Sequence, residues 1–378
     1  MRRFLPLLLS FSLLLAACAP GATPTSPPPQ PEEPTSPAGT SAPTAEPPAT
    51  STEPSPGAEV LTVMGHDSVE VSEEVVKAFE QEHNVDVQFL KAGDTGTALN
   101  QAILSKENPL ADVFYGVDNT FLSRALEEDI FVPYESPLLE QIPDRYELDP
   151  QHRALPVDYG DVCLNYDKSY FEENDLEPPQ NLQDLLEPEY QGLLAVENPA
   201  TSSPGLAFLL ATIGRFGEDG YLDFWEGLVA NDVRVVNDWE TAYYSVFSTH
   251  GGDRPIVVSY GSSPPAEVYF AEEPPEEPPT GVVAEDRSCF RQIEFAGILR
   301  NTPNRELAEA WIDFMLSPTF QEDMPLNMFV FPVNPEAELP EVFAEHLVVP
   351  DETAQVAPEA IAENRETWIE SWREMVLR

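Results

Sequence analysis

Thr201, Ser202 and Ser203 stand directly before Pro204, in a run from Glu197 to Phe208 that reads E-N-P-A-T-S-S-P-G-L-A-F. Beyond the proline, Leu206, Phe208, Leu209, Leu210 and Ile213 keep helical spacing, so the hydroxyls fall at an N-cap with proline in the first turn. Free N–H groups and partial positive charge at such a helix end suit a phosphate or carboxylate, and the same residues serve equally as plain caps. Three other polar clusters follow apolar runs: Gly65-His66-Asp67-Ser68, Gly93-Asp94 and Gly116-Val117-Asp118-Asn119. Asp118 reads two ways, as a ligand carboxylate or as a helix N-cap. His66, His83, His152, His250 and His346 are scattered singly, which argues against a zinc site or a Ser-His-Asp triad. No metal, no cofactor and no catalysis are expected.

The elements that position these clusters alternate. Apolar runs at 60–64, 85–90, 111–115, 162–166, 193–196, 233–237, 256–260 and 292–299 predict strands. Helical spacing predicts helices over 72–83, 96–105, 305–316 and 361–377, with Trp368 and Trp372 of the last as packing residues. A βαβαβ rhythm argues for α/β architecture with a largely parallel sheet, whose ligands gather at the carboxyl ends of strands. A second lobe begins near Leu155-Pro156-Val157-Asp158-Tyr159-Gly160, read as a lead-in to the strand at 162–166. The expected lobes are 58–155 with 291–335, and 156–290 with 336–378.

Arg2 and Arg3 precede an apolar core from Phe4 to Leu15, and Leu15-Ala16-Ala17-Cys18 supplies the small residues of a cleavage site. That tetrapeptide resembles a bacterial lipobox. It implies that residues 1–17 are a signal peptide and that Cys18 carries lipid, anchoring the protein outside the cytoplasm. Residues 18–57, rich in Pro, Ser, Thr, Ala and Glu, cannot bury enough surface to fold and are expected to form a disordered tether. With 19 Lys+Arg against 67 Asp+Glu, a formal charge of −48 excludes nucleic acid and anionic lipid as partners. Membrane contact is expected through the anchor alone. Cys163 and Cys289 remain, and the sequence leaves their pairing open because a bridge needs Cα atoms within about 7 Å.

In chain order, Asp67-Ser68, Lys91 to Asp94, Gly116 to Asn119, Pro156 to Gly160, Thr201 to Leu206, Asp238-Trp239-Glu240-Thr241-Ala242-Tyr243, Ser259 to Pro264, and Leu316-Ser317-Pro318 with Phe320-Gln321 can be set beside a known family. The ordered set resembles the thiamine-binding lipoproteins and periplasmic proteins of ABC transporters, over essentially the whole globular part. The resemblance implies a type II periplasmic-binding-protein fold: two α/β lobes joined by crossing strands, a monomer closing on thiamine or a thiamine phosphate and delivering it to a membrane permease. Thiamine joins a flat aminopyrimidine to a permanently positive thiazolium, so its receptor wants aromatic faces, a carboxylate and donors for the tail. By resemblance Trp239, Tyr260 and Phe329 supply the faces, Asp118 the acid, Ser202 and Ser203 the tail donors, and Asp67 part of the rim. The chain departs from the family pattern at Met64-Gly65-His66, where a tyrosine-rich stretch is usual, at Ala266, where an aromatic is familiar and Tyr269 follows, and at Phe329-Val330-Phe331-Pro332.

Other cargoes remain open: a related cation, a pyrimidine precursor, iron(III) or a polyamine. Tyr243-Tyr244 offers an iron-type pair, but successive helical residues point about 100° apart. A pyrimidine-precursor enzyme of related fold would need a catalytic cysteine, histidine or metal cluster, and the sequence shows none.

Overall fold

β-Branched runs alternating with amphipathic ones build the first part of the fold in a simple order: β1 (Glu59–Gly65), α1 (Glu73–His83), β2 (Val85–Lys91), α2 (Thr95–Leu104), β3 (Val113–Asp118), α3 (Leu122–Glu127) and the short β4 (Phe131–Val132). The computed structural model describes residues 59–377; the leader, Cys18 and the proline-rich segment lie outside them. Local chemistry sets the ends. Ser72 caps α1 by accepting from the Val75 N–H, and Asn84 closes the helix in the left-handed conformation.

The chain then enters β5 (Leu155–Asp167), followed by α4 (Lys168–Glu173), β6 (Leu194–Glu197), α5 (Ser203–Phe216), α6 (Tyr221–Ala230), β7 (Arg234–Val236), β8 (Ile256–Tyr260), α7 (Ser263–Phe270) and β9 (Thr280–Val283). It returns through β10 (Phe290–Leu299) to α8 (Arg305–Leu316), α9 (Pro318–Gln321), α10 (Met324–Asn327) and β11 (Phe331–Pro332), and ends in α11 (Glu341–His346) and α12 (Pro358–Val376).

One curled sheet orders these strands as β2-β1-β3-β10-β5-β8-β6-β7. Parallel pairs lie at both ends, β2 with β1 and β1 with β3 on one side, β8 with β6 and β6 with β7 on the other. The antiparallel β10 and β5 cross between them. The result is a two-lobe α/β fold with the crossing strands at its waist. Side chains buried to the last few per cent fill it, from Phe79 and Trp311 beside β1 and β2 to Trp225 and Trp372, which meet edge-on at 5.5 Å where α12 packs on α6.

β5 differs from the sequence reading: Leu155 to Gly160 is the first half of a 13-residue strand rather than a lead-in. Its near-continuous burial removes the alternation that marks an exposed-face strand. Pro156, which lacks an N–H for a ladder, sits opposite Phe295 where the pairing with β10 shifts register and Val157 is the extra residue on β5. The segment through Tyr243 and Tyr244 is a π-helical turn, Thr241–Val246, and α6, α7 and β9 were not foreseen. Cys163 of β5 and Cys289, just before β10, are disulfide-bonded with Cα atoms 4.3 Å apart, which fastens the two crossing strands together.

Candidate functional site

A cavity of about 890 Å³ opens between the two halves. Asp67, Ser203, Trp239, Tyr260 and Phe329, five of the residues singled out in the sequence, line it; Asp118 and Ser202 do not. Asp118 is fully buried at the end of β3, beneath the floor, where it accepts from Thr120 Oγ1 at 2.8 Å, from the Phe121 N–H at 3.3 Å and from Gln292 Nε2. Ser202 is also buried, capping α5 by accepting from the Gly205 N–H. Of the rims read from strand ends, His66 to Ser68 and Asp94 line the cavity, whereas Gly116 to Asn119 do not.

The aromatic wall belongs to the second half. Trp239 stacks on Tyr243 at 5.1 Å, meets Tyr260 edge-on at 6.3 Å and donates its indole N–H to Ser259 Oγ at 3.0 Å. Tyr260 can lie over β5 because a Cβ on Gly160 would stand 2.9 Å from its ring. Phe329 holds a left-handed backbone, φ 54°, and meets Phe270 at 5.0 Å. Phe270, not Tyr269, is the aromatic of α7 that reaches the cavity beyond Ala266.

The mouth of α5 carries an anion of the protein's own. Asp94, at the start of α2, accepts from the Thr95 N–H at 2.7 Å and reaches across to the N–H groups of Ser203 at 3.4 Å and Trp239 at 3.2 Å. The Ser202 hydroxyl also bonds this carboxylate. Beside it the Gly96 N–H donates to Thr201 O at 3.1 Å, an approach so close that a Cβ on Gly96 would sit 2.8 Å from that oxygen. Asp67, on the exposed rim, accepts from the Gly93 N–H.

Gln292 of β10 is the hub beneath. Its Nε2 donates to Asp118 and to Ser203 Oγ, and its Oε1 accepts from the Tyr260 hydroxyl at 2.7 Å. Two residues on, Glu294 faces the cavity, 6% exposed, with Oε1 3.4 Å from His66 Nε2 and Oε2 without a partner. Burial pushes Asp118 up to about 6, against the hydrogen bonds from Gln292 and Thr120. Burial raises Glu294 well above the usual carboxylate range, and Asp118 and Asp94 add to the effect. Burial lowers His66, against the pull of Asp94, Asp158, Asp118 and Asp67. Among the described lining residues Lys91 is the sole Lys or Arg, and it is paired with Glu70.

Sequence reasoning missed Gln292, Glu294 and Glu267. The period of two between Gln292 and Glu294, ahead of the apolar run from Phe295 to Leu299 in the same crossing strand, was the available signal. Glu267 accepts from the Tyr243 hydroxyl at 2.6 Å and from Thr280, so Tyr243 does not present a free phenol. Its ring stands perpendicular to that of Tyr244, at 89°. Among the described residues no three His, Cys, Asp or Glu side chains converge as a metal-ligand group. Chemically the arrangement is a receptor for a flat cation: aromatic faces on one side, acids beneath, hydroxyls between.

The profile of a family described as bacterial extracellular solute-binding protein matches residues 108–353. A thiamine-binding periplasmic protein of Salmonella typhimurium is 30% identical over 326 residues, covering 84% of this chain and 94% of the relative. A solved periplasmic thiamin binding protein is similar in fold, with a TM-score of 0.75 at 27% identity, covering 85% of this chain and 97% of that one. An iron uptake protein A1 of Synechocystis is 24% identical over 269 residues, 69% of this chain and 72% of the relative.

Proposed function

Because the chain belongs to the bacterial extracellular solute-binding proteins, we propose that it captures thiamine in this cleft and hands it to the permease of an ABC transporter. One observation carries the reading: an aromatic wall of Trp239, Tyr260 and Phe329 faces buried carboxylates with no unpaired lysine or arginine to answer them. A thiazolium supplies the missing charge, and an aminopyrimidine supplies a face for Trp239. The protein acts without bond chemistry: ligand enters between the lobes, contacts both, and thereby favours the closed form that docks on the permease. Asp67 and Ser203 contact the ligand from the rim and wall, while Asp118 and Ser202 act from behind as supports for Gln292 and Asp94.

Lipid on Cys18 keeps the monomeric receptor at the membrane face, and the proline-rich segment gives it reach, which raises its concentration near the permease. Thiamine is preferred over its phosphates, since Asp94 already fills the helix mouth that would receive a phosphate. The iron reading fits less well because the Tyr243 hydroxyl is committed to Glu267.

Calorimetric titration of the protein with thiamine, its mono- and diphosphate, spermidine and ferric citrate tests this. Thiamine is expected to bind most tightly, and Trp239→Ala to weaken it by roughly 30-fold, the equivalent of about 2 kcal/mol for a desolvated cation on an indole face. Binding of spermidine or iron in place of thiamine overturns the cargo.

A further inference from the structure

Three carboxylates stand in a row across three neighbouring strands. Glu294 of β10 pairs in register with Asp118 of β3 on one side and with Asp158 of β5 on the other. Like charges directly opposite one another destabilise a sheet, and all three are at most 6% exposed. Among the described residues none of the three pairs with a lysine or arginine; Arg291, the nearest in sequence, is held by Asp161. The outer members have partners, Asp118 in Gln292 and Thr120, and Asp158 in the Tyr115 hydroxyl at 2.5 Å. The central one has only His66, whose Nε2 lies 3.4 Å from Oε1. Glu294 Oε2 is buried, unpartnered and at the cavity wall, and Asp158 Oδ1 behind it is unpartnered too.

Among the described residues, other elements bring no lysine or arginine to Glu294, and burial shifts its neighbour His66 toward the neutral form. His66 follows β1, Asp94 opens α2, Tyr115 lies on β3 and Tyr260 on β8; Asp67 and the Lys91–Glu70 pair stay at the rim. Three adjacent carboxylates in a dry site cannot all ionise without a counter-charge. Resting on the reading of the cleft as a thiamine site, we propose that Glu294 is the residue that meets the ligand's fixed positive charge, and that the row releases one proton to water as the cation arrives. The step breaks one carboxyl O–H bond, leaves an anion facing the cation, and moves no electrons. Affinities for protons raised well above the usual carboxylate range at Glu294 and Asp158, driven first by burial, agree with a proton held in the empty row, while Asp118, raised only to about 6, is the member that ionises first.

Glu294→Gln keeps the shape and removes the charge. Thiamine affinity is expected to fall at least tenfold in this variant, while an analogue with a neutral thiophene in place of the thiazolium loses less than threefold. Calorimetry in phosphate and in Tris, whose heats of ionisation differ, should report about one proton released by the unmodified protein and none by the variant. Equal losses for both ligands, or unchanged thiamine binding with proton release intact, overturn the proposal. Should the unmodified protein bind no thiamine, the cargo reading fails by itself, and melting of the ligand-free proteins at pH 7.5 decides the row. A higher melting temperature for Glu294→Gln then upholds a strained, cation-awaiting row, and an equal or lower one removes it.

Discussion

The mouth of α5 and the carboxylate row on β3, β10 and β5 face one cavity, and they treat charge in opposite ways. At the mouth, donors that look ready for an anionic ligand are already answered by Asp94 and Ser202, and the Ser203 hydroxyl oxygen accepts from Gln292. In the row, acids set at the end of β3 and within β10 and β5 are left with no lysine or arginine partner and with two unpartnered oxygens. A polar motif that is rich locally is therefore the more self-contained of the two. In the proposed reading, the ligand's place is the one where the chain leaves charge uncompensated.

The widest gap between the two regions should show in their pH dependence. Asp118 rises from 3.8 to about 6 on folding, so its contribution to stability is fully present below pH 4 and is lost as pH rises through about 6. That is about 3 kcal/mol for one group at about 1.4 kcal/mol per pH unit. Ligand-free protein is expected to melt higher at pH 5 than at pH 7.5, and Asp118→Asn to flatten the dependence. A slope unchanged in the variant would assign the effect to the acidic surface instead.

Gln292→Leu breaks the comparison from the other direction, because this amide serves both regions. It strands Ser203, Tyr260 and one Asp118 oxygen, and should cost about 2 kcal/mol in denaturant melts. A loss within a few tenths would mean that water replaces it. Smallest is the mouth itself: Ser202→Ala should cost about 1 kcal/mol of stability as a lost cap, with little change in thiamine affinity. A large affinity loss there would restore the mouth as a direct ligand contact.

Most of the scaffold was legible because its signals are local. Ser72 before Glu73, the apolar face of Phe208 and Leu209, and the period of Trp368 and Trp372 each announce an element within a few residues. Trp239, Tyr260 and Phe329 were legible too, through the ordered resemblance, and all three reach the cavity. Glu294 was not, because its significance lies in register: only when β10 is set between β3 and β5 do Asp118, Glu294 and Asp158 become neighbours. The disulfide was open for the same reason, its cysteines being 126 residues apart in sequence. β5 was read short because burial on both faces erased its alternation.

Asp94 sets a clock. Its carboxylate takes one N–H from its own helix and three donors across the cleft, the N–H groups of Ser203 and Trp239 and the Ser202 hydroxyl, so parting the lobes strips three of four donors from a single group in one motion. In the proposed receptor, the time a cargo spends inside is expected to depend on a residue whose hydrogen bonds go to the protein itself. Capture is then set by the cleft's walls and floor and release by this clasp, and each can change without the other.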